Sequence, residues 1–156
     1  MDKLKLNTIK SILKPRLADS HKGTYGHALL IVGSEGKMGA AVIAAKACLR
    51  SGVGLLTVNV PFSEKSVLPI ALPEAMLNLR ENSIDLLPFS AIGIGPGLGT
   101  SNESKKLLDS LLKETNITVL LDADALNLIS ENKQMFSLFP KESVLTPHPK
   151  EFDRLF

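Results

Sequence analysis

Four segments of this chain concentrate residues that can do chemistry. Gly33-Ser34-Glu35-Gly36-Lys37-Met38-Gly39 and Gly95-Pro96-Gly97-Leu98-Gly99 are rich in glycine. Asp122-Ala123-Asp124-Ala125-Leu126-Asn127 carries two carboxylates and an amide, and Thr146-Pro147-His148-Pro149-Lys150-Glu151 sets a histidine between prolines, three residues ahead of a glutamate. A glycine loop that opens a helix offers free backbone N–H groups and the positive end of the helix dipole, which together favour an anion. The first loop has that position, ahead of the alanine-rich stretch that starts at Ala40. It is not a P-loop, because no Gly-Lys-Ser/Thr ending is present, and it does not match G-x-G-x-x-G either. A plain strand-to-helix turn is the competing reading. The second loop is more specific: glycines around a proline fix a wide turn and leave no side chains between backbone and ligand.

The acidic segment has two uses. Asp122 is suited to position a magnesium-bound phosphate or a ligand hydroxyl. Asp122 or Asp124 is equally suited to cap the helix that Ala125 begins, leaving the other to face the site. His148 sits in a rigid turn and is well placed to touch a ligand, while Glu151 either joins it or caps the helix that starts there. Lys22 and Gly26, ahead of the first strand, hold a phosphate or form an ordinary basic turn. Cys48 reads as a helix-core residue with no chemistry.

These residues need a scaffold, and the pattern supplies one. Short apolar runs at 28–32, 55–60, 74–79, 91–94, 118–121 and 143–145 read as strands. They alternate with helices at 39–51, closed by Gly52, at about 100–114, with Thr100 and Glu103 as a capping box, and at 125–130. Leu107, Leu108, Leu111 and Leu112 form one face of the second helix. In the first, Ala40, Ala41, Ala44, Ala45 and Ala47 leave only Lys46 and Arg50 as a polar stripe, which predicts a nearly buried helix. Alternation of this kind implies an α/β domain with a mainly parallel sheet covered by helices. In such sheets ligands sit beyond the carboxyl ends of the strands, and all four segments follow strands.

Composition narrows the class. The 156 residues are 44% hydrophobic and 22% charged, enough for a core and unlike a disordered chain. A net charge of +2 with interspersed signs gives no reason to expect nucleic acid. A single cysteine excludes a disulfide framework and fits a reducing, cytoplasmic setting. No apolar run reaches the ~18 residues of a membrane helix, and the start lacks a signal peptide's apolar region.

The order of motifs resembles a known family. His21-Lys22-Gly23-Thr24-Tyr25-Gly26-His27-Ala28-Leu29-Leu30, Gly39-Ala40-Ala41, Leu49-Arg50-Ser51-Gly52, Leu72-Pro73-Glu74, Gly95-Pro96-Gly97-Leu98-Gly99, Leu121 to Asn127, and Leu145 to Phe152 follow one another as in the ADP/ATP-dependent NAD(P)H-hydrate dehydratases, the carbohydrate-kinase-like domain of nicotinamide nucleotide repair proteins. The resemblance implies a ribokinase-like α/β fold, with residues 1–20 as a lead-in or interdomain linker and 21–156 as the N-terminal portion of the domain. It implies a reaction in which ADP or ATP, with magnesium, phosphorylates the hydroxyl of hydrated NADH or NADPH, and loss of phosphate restores the dihydronicotinamide. Matched to the motifs, Ala40, Gly97 and His148 would contact the hydrated dinucleotide, with Asp122, Asn127 and Glu151 shaping the floor of the cleft. Relatives form tetramers and many carry an epimerase domain, so a homo-oligomer and a fused epimerase domain are the implied partners.

One departure is large. Full members continue past the Pro-His-Pro turn to a late Gly-Thr/Ser-Gly-Asp motif that makes the anion hole and supplies the catalytic aspartate, and no Gly-x-Gly-Asp occurs in this sequence. The expectation is therefore a fragment without its catalytic aspartate. A sugar or vitamin kinase of the same fold and a non-catalytic nucleotide-binding module are the alternatives.

Overall fold

The computed structural model describes residues 5–12 and 15–156. Of the expected lead-in, residues 1–4 and 13–14 lie outside the described residues. The stretch between them forms a short exposed helix, α1 (Leu6–Ile12).

The apolar runs become six strands of one sheet: β1 (His27–Ile31), β2 (Leu55–Val60), β3 (Met76–Leu79), β4 (Ala91–Ile94), β5 (Val119–Leu121) and β6 (Val144–Leu145). Every pairing is parallel, and the order across the sheet is β3-β2-β1-β4-β5-β6. The other helices are α2 (Met38–Arg50), α3 (Val67–Ala71), α4 (Asn102–Glu114), α5 (Asp124–Glu131) and α6 (Pro149–Leu155). Short 3-10 turns fill Lys22–Tyr25, Phe62–Glu64 and Lys133–Leu138.

Alternation along each strand assigns its residues to two faces. Leu29, Ile31, Ile92, Ile94, Val119 and Leu121 pack against Leu108, Leu111 and Leu112 of α4 and Leu126 and Ile129 of α5. Leu56, Val58 and Val60 point the other way, onto Met38, Ala41 and Ala45 of α2 and Leu68 of α3. Each of the Leu, Ile and Val side chains among them contributes about 1.5–3 kcal/mol by leaving water, and the alanines less.

Some expectations need correction. The cap of α4 is Ser101, whose Oγ accepts from Ser104 N–H at 3.2 Å, and not Thr100. Ser101 holds the extended backbone of a cap, with φ −69° and ψ 165°. Helix α3 was not legible because it contains Pro69; that residue falls in the first turn, where a missing N–H leaves nothing unpaired. Helix α2 is not nearly buried. Only Met38, Ala41 and Ala45 are inside, Ala47 is exposed and Ile43 is 72% exposed. The cause is that α2 packs on the sheet and the short α3 alone among the described helices, which leaves its outer side to solvent.

Under β2 the first face turns polar. Buried Asn59 donates from Nδ2 to Asn78 Oδ1 at 2.6 Å, and Arg80 donates from Nε to Asn59 Oδ1 at 3.2 Å and from Nη2 to the carbonyls of Val32 and Asn59 at 3.0 and 3.2 Å. Burial brings the Arg80 guanidinium down to about 10, so it stays charged at neutral pH and closes the carboxyl ends of β1 and β2. Among the described residues no helix is long and apolar enough to cross a membrane.

At the opposite end of β1, His27 Nε2 lies 2.8 Å from Thr57 Oγ1 and its ring meets Phe89 edge-on at 4.6 Å. Burial holds this imidazole below its ordinary 6.5. Above that value the ring is neutral in both folded and unfolded chains, and stability is lost as pH falls through the lowered folded value, because the unfolded chain binds the proton more readily. Lowering the pH from about 7 to about 5 is expected to reduce the thermal midpoint more in the native chain than in His27→Gln; equal reductions would exclude this histidine as the source.

Candidate functional site at the reversal of the sheet

Strand order runs outward from β1 to β3 in one direction and from β4 to β6 in the other. In an open parallel sheet the crevice at such a reversal, beyond the carboxyl ends, is the place for a ligand. The loops that leave β1 and β4 there are the two glycine segments.

Backbone contacts join them. Gly33 N–H donates to the Pro96 carbonyl at 2.9 Å, and Gly95 N–H to that of Ile31 at 3.2 Å. Gly97, at φ +66°, lies against the first turn of α2, where a Cβ would come within 2.9 Å of both Ala40 Cβ and the Lys37 carbonyl. Only glycine fits that approach. The 13-residue helix α2 has no side-chain cap at Lys37 and no acidic residue in its first turn. Its N-terminal dipole therefore faces the Gly97 loop uncompensated.

The acidic segment closes this corner. Asp124 Oδ2 accepts from Gly99 N–H at 2.8 Å and lies 3.7 Å from Lys37 Nζ, so one carboxylate ties together the loops after β1, β4 and β5. Asp122, half-buried, has no side-chain hydrogen bond among the described residues and lines the surface beside Pro96. The anticipated division of labour is thus altered. Asp124 anchors loops and Asp122 remains free, but neither caps α5. The capping position belongs to Ala123, with φ 47°, ψ −117° and no side-chain bond. A non-glycine residue there is strained by about 1–3 kcal/mol.

His148 and Glu151 form a reciprocal cap on α6. His148 Nδ1 accepts from Glu151 N–H at 3.4 Å, and Glu151 Oε2 accepts from His148 N–H at 3.0 Å. The accepting Nδ1 leaves the proton on Nε2, which is 3.4 Å from Glu151 Oε1. The histidine side chain is 57% exposed and the glutamate 8%, so a buried carboxylate orients an accessible ring. Asn127 accepts from Arg154 Nη1 at 2.6 Å through Oδ1, linking α5 to α6.

The structure therefore gathers Ala40, Gly97 and Asp122 at the reversal, and places Asn127, His148 and Glu151 farther along the same edge, toward β6, two strand spacings or about 10 Å from β4. It does not bring Lys22 and Gly26 to that edge. They precede β1, where the Gly26 carbonyl accepts from Leu55 N–H and a Cβ on Gly54 would strike the Lys22 carbonyl at 1.6 Å. That end of the sheet is about 16 Å away, the length of β1. Lys37 and Arg80 were missed, because nothing short of the fold shows that Lys37 meets Asp124 or that β3 brings Arg80 beside Val32.

Two substitutions separate fit from strain. Gly97→Ala is expected to lose about 1–3 kcal/mol in denaturant unfolding, because a side chain there forces the loop away from Lys37 and Ala40. Ala123→Gly is expected to gain about 1 kcal/mol in the same measurement, and a loss would show that the turn is not strained.

The family profile of NAD(P)H-hydrate dehydratase matches residues 28–156. An ADP-dependent (S)-NAD(P)H-hydrate dehydratase of Streptococcus thermophilus is 40% identical over 154 residues, covering 94% of this chain and 55% of that protein. Among solved structures, a ribokinase-like superfamily protein of Enterococcus faecalis aligns with a TM-score of 0.88 and 32% identity over 97% of this chain and 55% of its own. An ADP/ATP-dependent NAD(P)H-hydrate dehydratase of Bacillus subtilis, co-crystallised with ATP and magnesium, aligns with a TM-score of 0.76 and 33% identity over 96% of this chain and 53% of its own. The chain spans about half the length of these relatives. Its parallel sheet with flanking helices is the ribokinase-like fold, and with the family match running from Ala28 to the last residue, the chain belongs to the NAD(P)H-hydrate dehydratases.

Proposed function

We propose that the protein to which this chain belongs uses ADP or ATP to dehydrate hydrated NADH and NADPH, and that this chain contributes the cradle for the hydrated dinucleotide. The observation that carries the reading is the seam between Gly97 and the uncapped start of α2. A pyrophosphate suits that seam, because free N–H groups, a helix dipole and the Lys37 ammonium all favour negative charge. Asp122, with its free carboxylate, and His148, with an accessible Nε2–H held by Glu151, are groups for ligand hydroxyls and amides. Asn127 uses its oxygen on Arg154 and keeps its NH2 for the cleft floor.

The fit of the nucleotide and magnesium is partial. Among the described residues no group of three or more His, Cys, Asp and Glu side chains is placed to hold a metal. A magnesium ion that arrives on nucleotide phosphates keeps much of its water and needs only one or two carboxylates, and Asp122 can serve as one. The bound nucleotide supplies the phosphoryl group that turns the hydrate's hydroxyl into a leaving group. No Gly-x-Gly-Asp is present to activate that hydroxyl. Binding by this chain and turnover by the longer protein are therefore separable. A homo-oligomer in the cytoplasm belongs to the same reading.

The test is recovery of dihydronicotinamide near-ultraviolet absorbance from NADPH hydrate with ADP and magnesium. Recovery is expected from this chain joined to the remaining half of the domain and not from the chain alone, which binds NADPH in calorimetry about tenfold more tightly than Gly97→Ala does. Turnover by the chain alone would mean that the base lies within these residues. A phosphorylated hydrate that accumulates without recovery would establish the kinase alternative.

A further inference from the structure

The turn that follows β2 holds an aromatic side chain that neither apolar cluster uses. Phe62, the first residue of the 3-10 turn Phe62–Glu64, is 52% exposed. The other exposed phenylalanines, Phe152 and Phe156, pack on each other with ring centres 4.9 Å apart, whereas among the described residues Phe62 meets no second ring. Its position is nevertheless fixed from three sides. Pro61 sets the entry to the turn at φ −58°, the Phe62 N–H donates to both carboxylate oxygens of Glu81 at 3.1 Å, and Lys65 Nζ stands 3.9 Å from the ring centre. The ammonium takes one face of the ring, and the exposure of the residue leaves ring surface open to solvent.

The ring also stands beside the candidate site. Asn59 of β2 is opposite Ile31 of β1, so the turn at Phe62 and the loop at Gly33 leave the same edge one strand spacing, about 5 Å, apart. Glu64 Oε1 accepts from Gly36 N–H at 3.4 Å and joins the two. A Cβ on Gly36 would meet nothing within 4 Å, so the loop is open at that point. A dinucleotide that lies across the reversal of a parallel sheet puts its pyrophosphate at the helix start and one nucleoside on each side. On the side toward β6 stand Asp122 and His148, groups for hydroxyls and amides. The hydrated nicotinamide ring is puckered by its saturated carbons and carries a hydroxyl, so it matches that side. Adenine is flat and aromatic, and it matches a ring. We propose that Phe62 is the stacking platform for the adenine of the hydrated dinucleotide, reached over Gly36 from the anion seat at α2. The consequence is selection of dinucleotides over reduced nicotinamide mononucleotide, which has the same nicotinamide ring and a phosphate but no purine. This inference rests on the dehydratase reading and extends it to the second nucleoside of the substrate.

The test is calorimetry of the chain with NADPH and with reduced nicotinamide mononucleotide. Phe62→Ala is expected to weaken NADPH binding about tenfold and to leave the mononucleotide unchanged, while Phe62→Trp keeps the NADPH affinity. In proton NMR the adenine H2 and H8 signals of bound NADPH are expected to move upfield with the native chain and not with Phe62→Ala. Phe62 is exposed, so the variant keeps its circular dichroism spectrum. The inference is overturned if Phe62→Ala leaves NADPH affinity unchanged, or if it weakens both ligands equally, as loss of a merely structural residue would. Gly97→Ala separates the two readings, since it is expected to weaken both ligands through the phosphate they share. If it does so while Phe62→Ala changes nothing, the anion seat stands and the platform falls. If the native chain binds neither ligand, both readings fall.

Discussion

Right-handed crossovers constrain this molecule more than any single contact. Because the strands run outward from β1 and β4 in opposite directions, the helix leading from β1 to β2 and the helix leading from β4 to β5 must lie on opposite faces. Their first turns diverge where the strands are neighbours, and the loops that feed them part to leave a crevice. The glycines answer that geometry. Gly95, at φ +133°, lets the chain leave β4 past the Asp122 carbonyl, which a Cβ would meet at 1.8 Å, and Gly97 then brings the loop down onto α2. A crevice lined by backbone follows, and chemistry that depends on N–H groups and a helix dipole follows from that lining.

Two cations hold the rim in different ways. Arg80 is half-buried and spends donors on Val32 and Asn59, so it acts as a clamp on the strand ends from which the first loop springs. Lys37 is largely exposed and shares Asp124 with the Gly99 amide, so its charge remains accessible to a ligand at the price of a weak, solvent-screened pair. Arg80 thus spends its charge on backbone and amide oxygens, whereas that of Lys37 stays open to solvent.

Much of this was legible in the residues, and the remainder was not for definite reasons. Strands β1, β2 and β4 could be read closely because apolar runs bounded by glycine or proline leave little choice, and the placement rule for parallel sheets then brings Gly33, Gly95, Asp122 and His148 to one edge. Short local terms proved weaker. The cap of α4 moved by one residue to Ser101, and Asp124 gave up capping for a bond to an amide 25 positions away in sequence. Lys22 and Gly26 lie before β1, apart from that edge, with the Gly26 carbonyl bonded to Leu55 N–H and the Lys22 carbonyl against Gly54.

The misjudged burial of α2 is the most instructive difference. Alanine content lets a helix approach a sheet closely, yet it does not decide how many sides are covered, and only Met38, Ala41 and Ala45 of α2 are buried. One face of β4 and β5 is packed against α4 and α5, and the other is open beside α2, with the Asp122 carboxylate where that open side meets the loops. Leu120 and Val144 stay partly exposed on one face of the sheet, while Val119 and Leu121 are fully buried on the other.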